Sequence, residues 1–149
     1  MLRVSKLTDY ATVVMTCLVS AGDGVLSAQC LAERSHLEVP TVSKLLKQLA
    51  QAGLVASARG INGGYRLARM PAHITIADIV TAMEGPIGMT ECSAHAGSCG
   101  HEPHCGVRVN WQRINQAIAG ALESVTLADM VKPPSAKRGA TIPLRVATA

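Results

Sequence analysis

Apolar residues recur at helical spacing along most of the chain. Leu7, Ala11, Val14, Leu18 and Ala21 keep the i, i+4, i+7, i+11 rhythm of an amphipathic helix over residues 7–21, which Gly22-Asp23-Gly24 ends. Ser27 is placed to cap a second, short helix over 28–34 with Ala28, Leu31 and Ala32 inward. A turn at 35–39 leads to Pro40, suited to the first turn of a third helix. That helix buries Val42, Leu45, Leu46 and Leu49 and stops at Gly53. Two extended segments follow, 54–59 and 64–67, around Gly60-Ile61-Asn62-Gly63-Gly64, whose Asn-Gly pair predicts a tight turn. Thr75-Ile76-Ala77-Asp78 has the form of a capping box with Asp in the Glu position. It opens a helix with Ile76, Ile79, Val80 and Met83 on one side, closed by Gly85-Pro86.

The periodicity then lapses. Residues 87–105 are rich in Gly, Cys and His and read as a loop shaped by something other than a core. From Gly106 a long helix is predicted, with Val107, Trp111, Ile114, Ile118 and Ala121/Leu122 in one stripe. A second cap, Thr126-Leu127-Ala128-Asp129, starts a final turn. The tail, 132–149, has Pro133, Pro134 and Pro143 and no acids, a composition expected of a flexible basic segment. The fold class is therefore mainly α with a small β wing. Residues 1–84 are expected to form a winged helix-turn-helix domain, 85–105 a Cys-rich loop, and 106–131 a long helix with its terminal turn.

Composition narrows the function. The chain has 149 residues, one domain or a small domain with an extension. One Trp, two Tyr and no Phe argue against modules that stack bases on several aromatic rings. Residues 1–83 carry eight Lys/Arg and five Asp/Glu, residues 84–131 two and five, and residues 132–149 four and none. Basic charge thus sits on the front half and the tail, as for a front half that meets a polyanion. Arg3, Lys6, the apolar run 11–19 and Val19-Ser20-Ala21 imitate a signal peptide, but Asp9 interrupts the approach and the apolar residues keep helical rhythm. Tyr10–Gly22 is too short a charge-free stretch to span a bilayer. A cytoplasmic protein without a membrane segment is expected.

Three helices followed by a hairpin is the winged helix-turn-helix order, with the third helix in the recognition position. Its outward face offers Thr41, Ser43, Lys44, Lys47 and Gln48, hydroxyls, amides and cations without an acid. Such a face suits phosphates and base edges in a major groove. Arg59 and Arg66 flank the hairpin, where a wing reaches phosphates or a minor groove. Two lysines on a lone helix are ordinarily just solvated surface; the order of elements and the basic wing turn this one toward double-stranded DNA.

Five cysteines divide unevenly. Cys17 and Cys30 lie in helical segments among small neighbours, as packing thiols do. Cys92, Cys99 and Cys105 fall within fourteen residues, with His95, His101 and His104 among them. Structural zinc sites prefer two tight Cys-x2-4-Cys pairs. The more even spacing Cys92-x6-Cys99-x5-Cys105 suits a loop around an iron–sulfur cluster, while zinc with His101 or His104 stays open. No partner acid or oxyanion device accompanies the group, so an enzyme is not expected.

The combined pattern resembles the IscR/NsrR type of winged-helix repressors, which sense iron–sulfur status or nitric oxide. The resemblance rests on Arg3-Val4-Ser5-Lys6-Leu7-Thr8-Asp9-Tyr10-Ala11, Val39-Pro40-Thr41-Val42-Ser43-Lys44-Leu45-Leu46, Gly53-Leu54-Val55, Arg59-Gly60 and Gly63-Gly64-Tyr65. Ile76-Ala77-Asp78-Ile79-Val80, the three cysteines and Thr126-Leu127-Ala128-Asp129 extend it over about residues 1–131. Within that family, Cys99-Gly100-His101-Glu102-Pro103-His104-Cys105-Gly106 and Trp111-Gln112-Arg113-Ile114-Asn115 are most similar to the regulator of the SUF cluster-assembly operon.

The resemblance implies a homodimer, with 106–131 as dimerisation helix and terminal turn, reading half-sites about one DNA turn apart. It also implies a [2Fe-2S] or [4Fe-4S] cluster on Cys92, Cys99 and Cys105, and repression of assembly genes while the cluster is intact. Some relatives place a His ligand three residues after the last Cys, where this chain has Arg108, which cannot ligate. Others use an Asp near the partner's N-terminus, which Asp9 matches; His104, His101 and Glu91 are the further candidates. A nitric-oxide or redox sensor of the same fold, or a zinc-stabilised DNA-binding protein, are the alternatives.

Overall fold

Helix α1 (Lys6–Ser20) starts where the Ser5 hydroxyl oxygen accepts the Thr8 N–H, and it buries Thr8, Ala11, Val14, Met15 and Leu18. The computed structural model describes residues 3–132, so the predicted tail, Lys132 apart, lies outside the described residues. Ser27 caps α2 (Ala28–Ser35) through the Cys30 N–H, and α2 ends on His36 in the left-handed conformation, φ 54°. Helix α3 (Val39–Gln51) has Pro40 in its first turn and buries Val42, Leu45, Leu46 and Leu49 completely. Each such side chain contributes roughly 1.5–3 kcal/mol of apolar burial, which fixes α3 against α1 and α2.

Strands β1 (Val55–Ala58) and β2 (Gly64–Leu67) form an antiparallel hairpin, with Ala58 opposite Gly64. The turn differs from the Asn-Gly expectation. Gly63 N–H donates to Gly60 O at 2.9 Å, so Ile61 and Asn62 are its central residues. Among non-glycine residues described only His36 has positive φ, so this is not the mirror-image turn that Asn62-Gly63 would make. The five-residue connection 59–63 leaves room for the commoner turn geometry. Behind the wing, Leu26 pairs with Tyr65 through two backbone bonds of 3.0 and 2.8 Å. The close approach demands Gly64, since a Cβ there would stand 2.4 Å from Leu26 O.

Helix α4 (Ile76–Glu84) opens with the predicted capping box, Thr75 and Asp78 exchanging hydrogen bonds. The loop beyond it is more ordered than its composition suggested, with a one-turn helix α5 (Glu91–Ala94) and a 3-10 turn at Glu102–His104. Helix α6 (Arg108–Glu123) packs on α4, and the chain returns through a second capping box into α7 (Leu127–Val131). Ile76 N–H donates to Val125 O at 2.9 Å and Leu127 N–H to Ile74 O at 2.8 Å. Leu127 is 0 % exposed and joins the core formed by α1–α4. The end of α6 is thereby fastened to the winged unit.

Candidate DNA interface and cysteine loop

On α3 the apolar and polar faces separate as the periodicity predicts. Ser43, Lys44 and Lys47 are exposed and Thr41 is half-buried. Gln48 differs: it is half-buried, and its Oε1 is enclosed without a hydrogen-bond partner, because it lies beside the buried stripe at the edge of the outward face. Arg59 and Arg66 are exposed on the wing, and Ile61 stands fully exposed at its tip. Helix α3 and the wing therefore offer cations and hydroxyls to solvent from one unit braced by the Leu26–Tyr65 pairing.

The cysteine loop hangs from two fixed points. At its base, Asn115 of α6 grips both directions of the backbone: its Oδ1 accepts the Met89 N–H at 3.1 Å and its Nδ2 donates to Ile87 O at 3.1 Å. At its tip, Glu102 pairs with Arg108 at 2.5 Å and accepts the Gly97 N–H at 2.7 Å. Sequence reasoning missed both devices. Asn115 is a polar residue on the side of α6 facing the fold, which is the signal that it has a partner there.

All five cysteines are free and half-buried. The Cys92 thiol lies 3.3 Å from the Thr90 hydroxyl. Burial is the main cause that raises the Cys17 thiol pKa above its ordinary value, outweighing the nearby Arg34 cation, in keeping with a packing role. Among the described residues, no three His, Cys, Asp or Glu side chains converge as a metal site. Cys92, Cys99, Cys105 and Asp9 are thus not gathered within the chain. Asp9 is exposed in the first turn of α1, in a depression lined by Lys6, Thr12, Ile76, Val80 and Met130 and by none of the cysteines. The donor set fits an iron–sulfur group in kind, three free thiols on a loop without a core, but the loop as folded has yet to bring them together.

A third polar cluster ties α1 to the end of α4, where the loop begins. Glu84, the last residue of α4, accepts the Thr8 hydroxyl at 2.5 Å and the Ser5 N–H at 2.9 Å. These bonds, the Thr8 hydroxyl foremost, hold its carboxyl below the usual glutamate range. Thr8 is the buried polar residue of α1, so the N-terminus of α1 and the start of the loop meet at one carboxylate.

The stripe of α6 divides. Gln112, Asn115, Ala119 and Leu122 are half-buried on the side facing the fold, whereas Val107, Trp111 and Ile114 are 54, 37 and 45 % exposed. No residue of α6 is fully buried in the single chain. No helix among the described residues is long and apolar enough to cross a membrane.

Comparison with known proteins agrees with this architecture. The chain is 28 % identical over 131 residues to the HTH-type transcriptional regulator IscR of Serratia proteamaculans, covering 87 % of this chain and 79 % of that one. The solved structure of CymR, the global cysteine regulator of B. subtilis, superposes with TM-score 0.69 at 33 % identity, covering 88 % of this chain and 97 % of the other. T. potens IscR superposes with TM-score 0.68 at 33 % identity, covering 93 % of each. These relatives are transcriptional regulators and not enzymes. Residues 4–133 match the family described as Rrf2, iron-dependent transcriptional regulator, and the chain belongs to that family.

Proposed function

We propose that the protein is an iron–sulfur-responsive repressor that binds promoter DNA as a homodimer and controls iron–sulfur assembly genes of the SUF type. The observation that supports it most is a three-thiol loop that follows α4 directly and is held at its base by Asn115 of α6. Cys92, Cys99 and Cys105 would hold the cluster, with Asp9 of the second copy as the matching fourth donor. An iron–sulfur cluster supplies a centre whose loss or attack reports on iron and oxidants.

The chain's own residues do the rest. Thr41, Ser43, Lys44 and Lys47 meet the major groove with Gln48 at the helix edge, and Arg59 and Arg66 meet flanking backbone. The exposed seam of Val107, Trp111 and Ile114 is buried against its twin, which sets the spacing of the two recognition helices. Rearrangement of residues 85–105 pulls on Asn115 and Glu84, and so shifts α6 against the winged unit.

Anaerobic reconstitution followed by iron and sulfide counts, visible absorbance and gel-shift titration on a SUF-type promoter tests the proposal. Loaded protein binds more tightly than apo protein; equal affinity refutes sensing, and zinc without sulfide refutes the cluster. A second reading, a nitric-oxide or redox sensor of the same fold, draws on the likeness to a cysteine regulator and on the ungathered thiols. It expects nitric oxide or peroxide to release DNA while iron starvation leaves binding unchanged.

A further inference from the structure

The 97–108 stretch is organised around one carboxylate. Glu102 N–H donates to Cys99 O at 3.0 Å, and Cys105 N–H donates to Glu102 O at 3.3 Å. The Glu102 side chain is 8 % exposed, pairs through Oε1 with the Arg108 guanidinium and accepts the Gly97 N–H with Oε2. Gly97 has φ +82°, the left-handed conformation that lets its N–H turn inward to that oxygen. Arg108 N–H in turn donates to Cys105 O at 3.4 Å, closing the unit onto the first residue of α6.

Residues 90–96 are built otherwise. Their hydrogen bonds, among the described residues, run only within 90–98: Ser93 and Ala94 N–H to Thr90 O, His95 N–H to Glu91 O, Ser98 N–H to His95 O, and Thr90 Oγ1 with the Cys92 and Ser93 side chains. Apart from the packing of α5 on α6, these residues are held from outside the segment, at Met89 on one side and Gly97 on the other.

We infer that Glu102 and Arg108 form a clasp that splits the cysteine loop into a fixed half carrying Cys99 and Cys105 and a movable half carrying Cys92. Arg108 and Glu102 are positioning residues, which gives the arginine a task at a position where it cannot ligate. Because the three thiols do not converge as folded, they gather by α5 swinging toward the clasped half, which keeps its shape. The purpose of the clasp rests on the reading of residues 85–105 as a cluster-holding loop, but its test does not.

The test uses full-length, reduced, metal-free protein, pulse-labelled with iodoacetamide, with the rate at each cysteine read by mass spectrometry. Glu102→Gln and Arg108→Met accelerate Cys99 and Cys105 by about tenfold or more, since labelling of a half-buried thiol follows local opening. Cys92 changes by less than about twofold, and Arg108→Lys, which keeps the charge, restores most of the protection. Unchanged rates at Cys99 and Cys105, or a parallel rise at Cys92, overturn the inference. Hydrogen exchange of the wild-type protein is a second reading that needs no variant: the amides of Gly97, Glu102 and Cys105 exchange more slowly than those of Ser93 and Ala94, and equal rates refute the clasp. Iron and sulfide counts on reconstituted wild-type protein report separately on the cluster.

Discussion

Leu127→Ala is expected to destabilise the protein by about 3 kcal/mol. Leu127 is 0 % exposed, sits in the core formed by α1–α4, and is the first residue of α7. Truncating a fully enclosed leucine removes its transfer energy and leaves a cavity, together typically about 2.7–5 kcal/mol. The low end applies because Leu127 belongs to a short five-residue helix, whose neighbours can settle into the space. The backbone bonds from Leu127 to Ile74 and from Ile76 to Val125 need no side chain and survive the change. Urea unfolding followed by circular dichroism, at one fixed protein concentration because self-association shifts the midpoint, gives the difference. Leu127→Met serves as the volume-conserving control, at under about 1.5 kcal/mol. A loss below about 1 kcal/mol in Leu127→Ala would mean that α7 is not docked in solution, and α6 would then lose its fastening to the winged unit.

Three further outcomes follow from the same geometry. His36→Gly stabilises the protein by about 0.5–1 kcal/mol, read as a higher Tm, because φ 54° is strained for any residue with a Cβ. Glu84 has a folded pKa below its unfolded value, so its share of stability is present above that unfolded value, about 4.3, and is lost as pH falls through the folded one. Glu84→Gln therefore lowers Tm at pH 7 but flattens its fall on acidification; parallel wild-type and variant curves would contradict this. Lys47→Ala lowers the slope of log affinity against log salt by about 1.8 for a homodimer, about 0.9 for each phosphate no longer neutralised, and an unchanged slope removes Lys47 from the interface.

The winged unit was legible because its signals are local and mutually consistent. The stripe of α3, the Ser27 cap and the Thr75/Asp78 and Thr126/Asp129 boxes are each decided within four or five residues, and all appear as expected. The wing turn falls within Gly60–Gly64 as expected, but its central residues are Ile61 and Asn62, and the need for Gly64 comes from Leu26, a neighbour remote in sequence. The stripe of α6 predicted a buried face, and only half of it meets the fold, while Val107, Trp111 and Ile114 stay exposed. Spacing found the three cysteines but not Glu102, Asn115 or Glu84, whose partners are set by tertiary approach and leave no periodic trace.

The backbone pairing of Leu26 with Tyr65 also bears on how this protein avoids the wrong partners. A two-stranded ribbon on its own is marginally stable and presents two raw edges to any other extended chain. Here the outer edge of β2 is already occupied at its centre by the segment before α2, and β1 offers only four residues on the other side. Strand-to-strand aggregation through the wing is therefore disfavoured, and the wing tip stays free of strand partners.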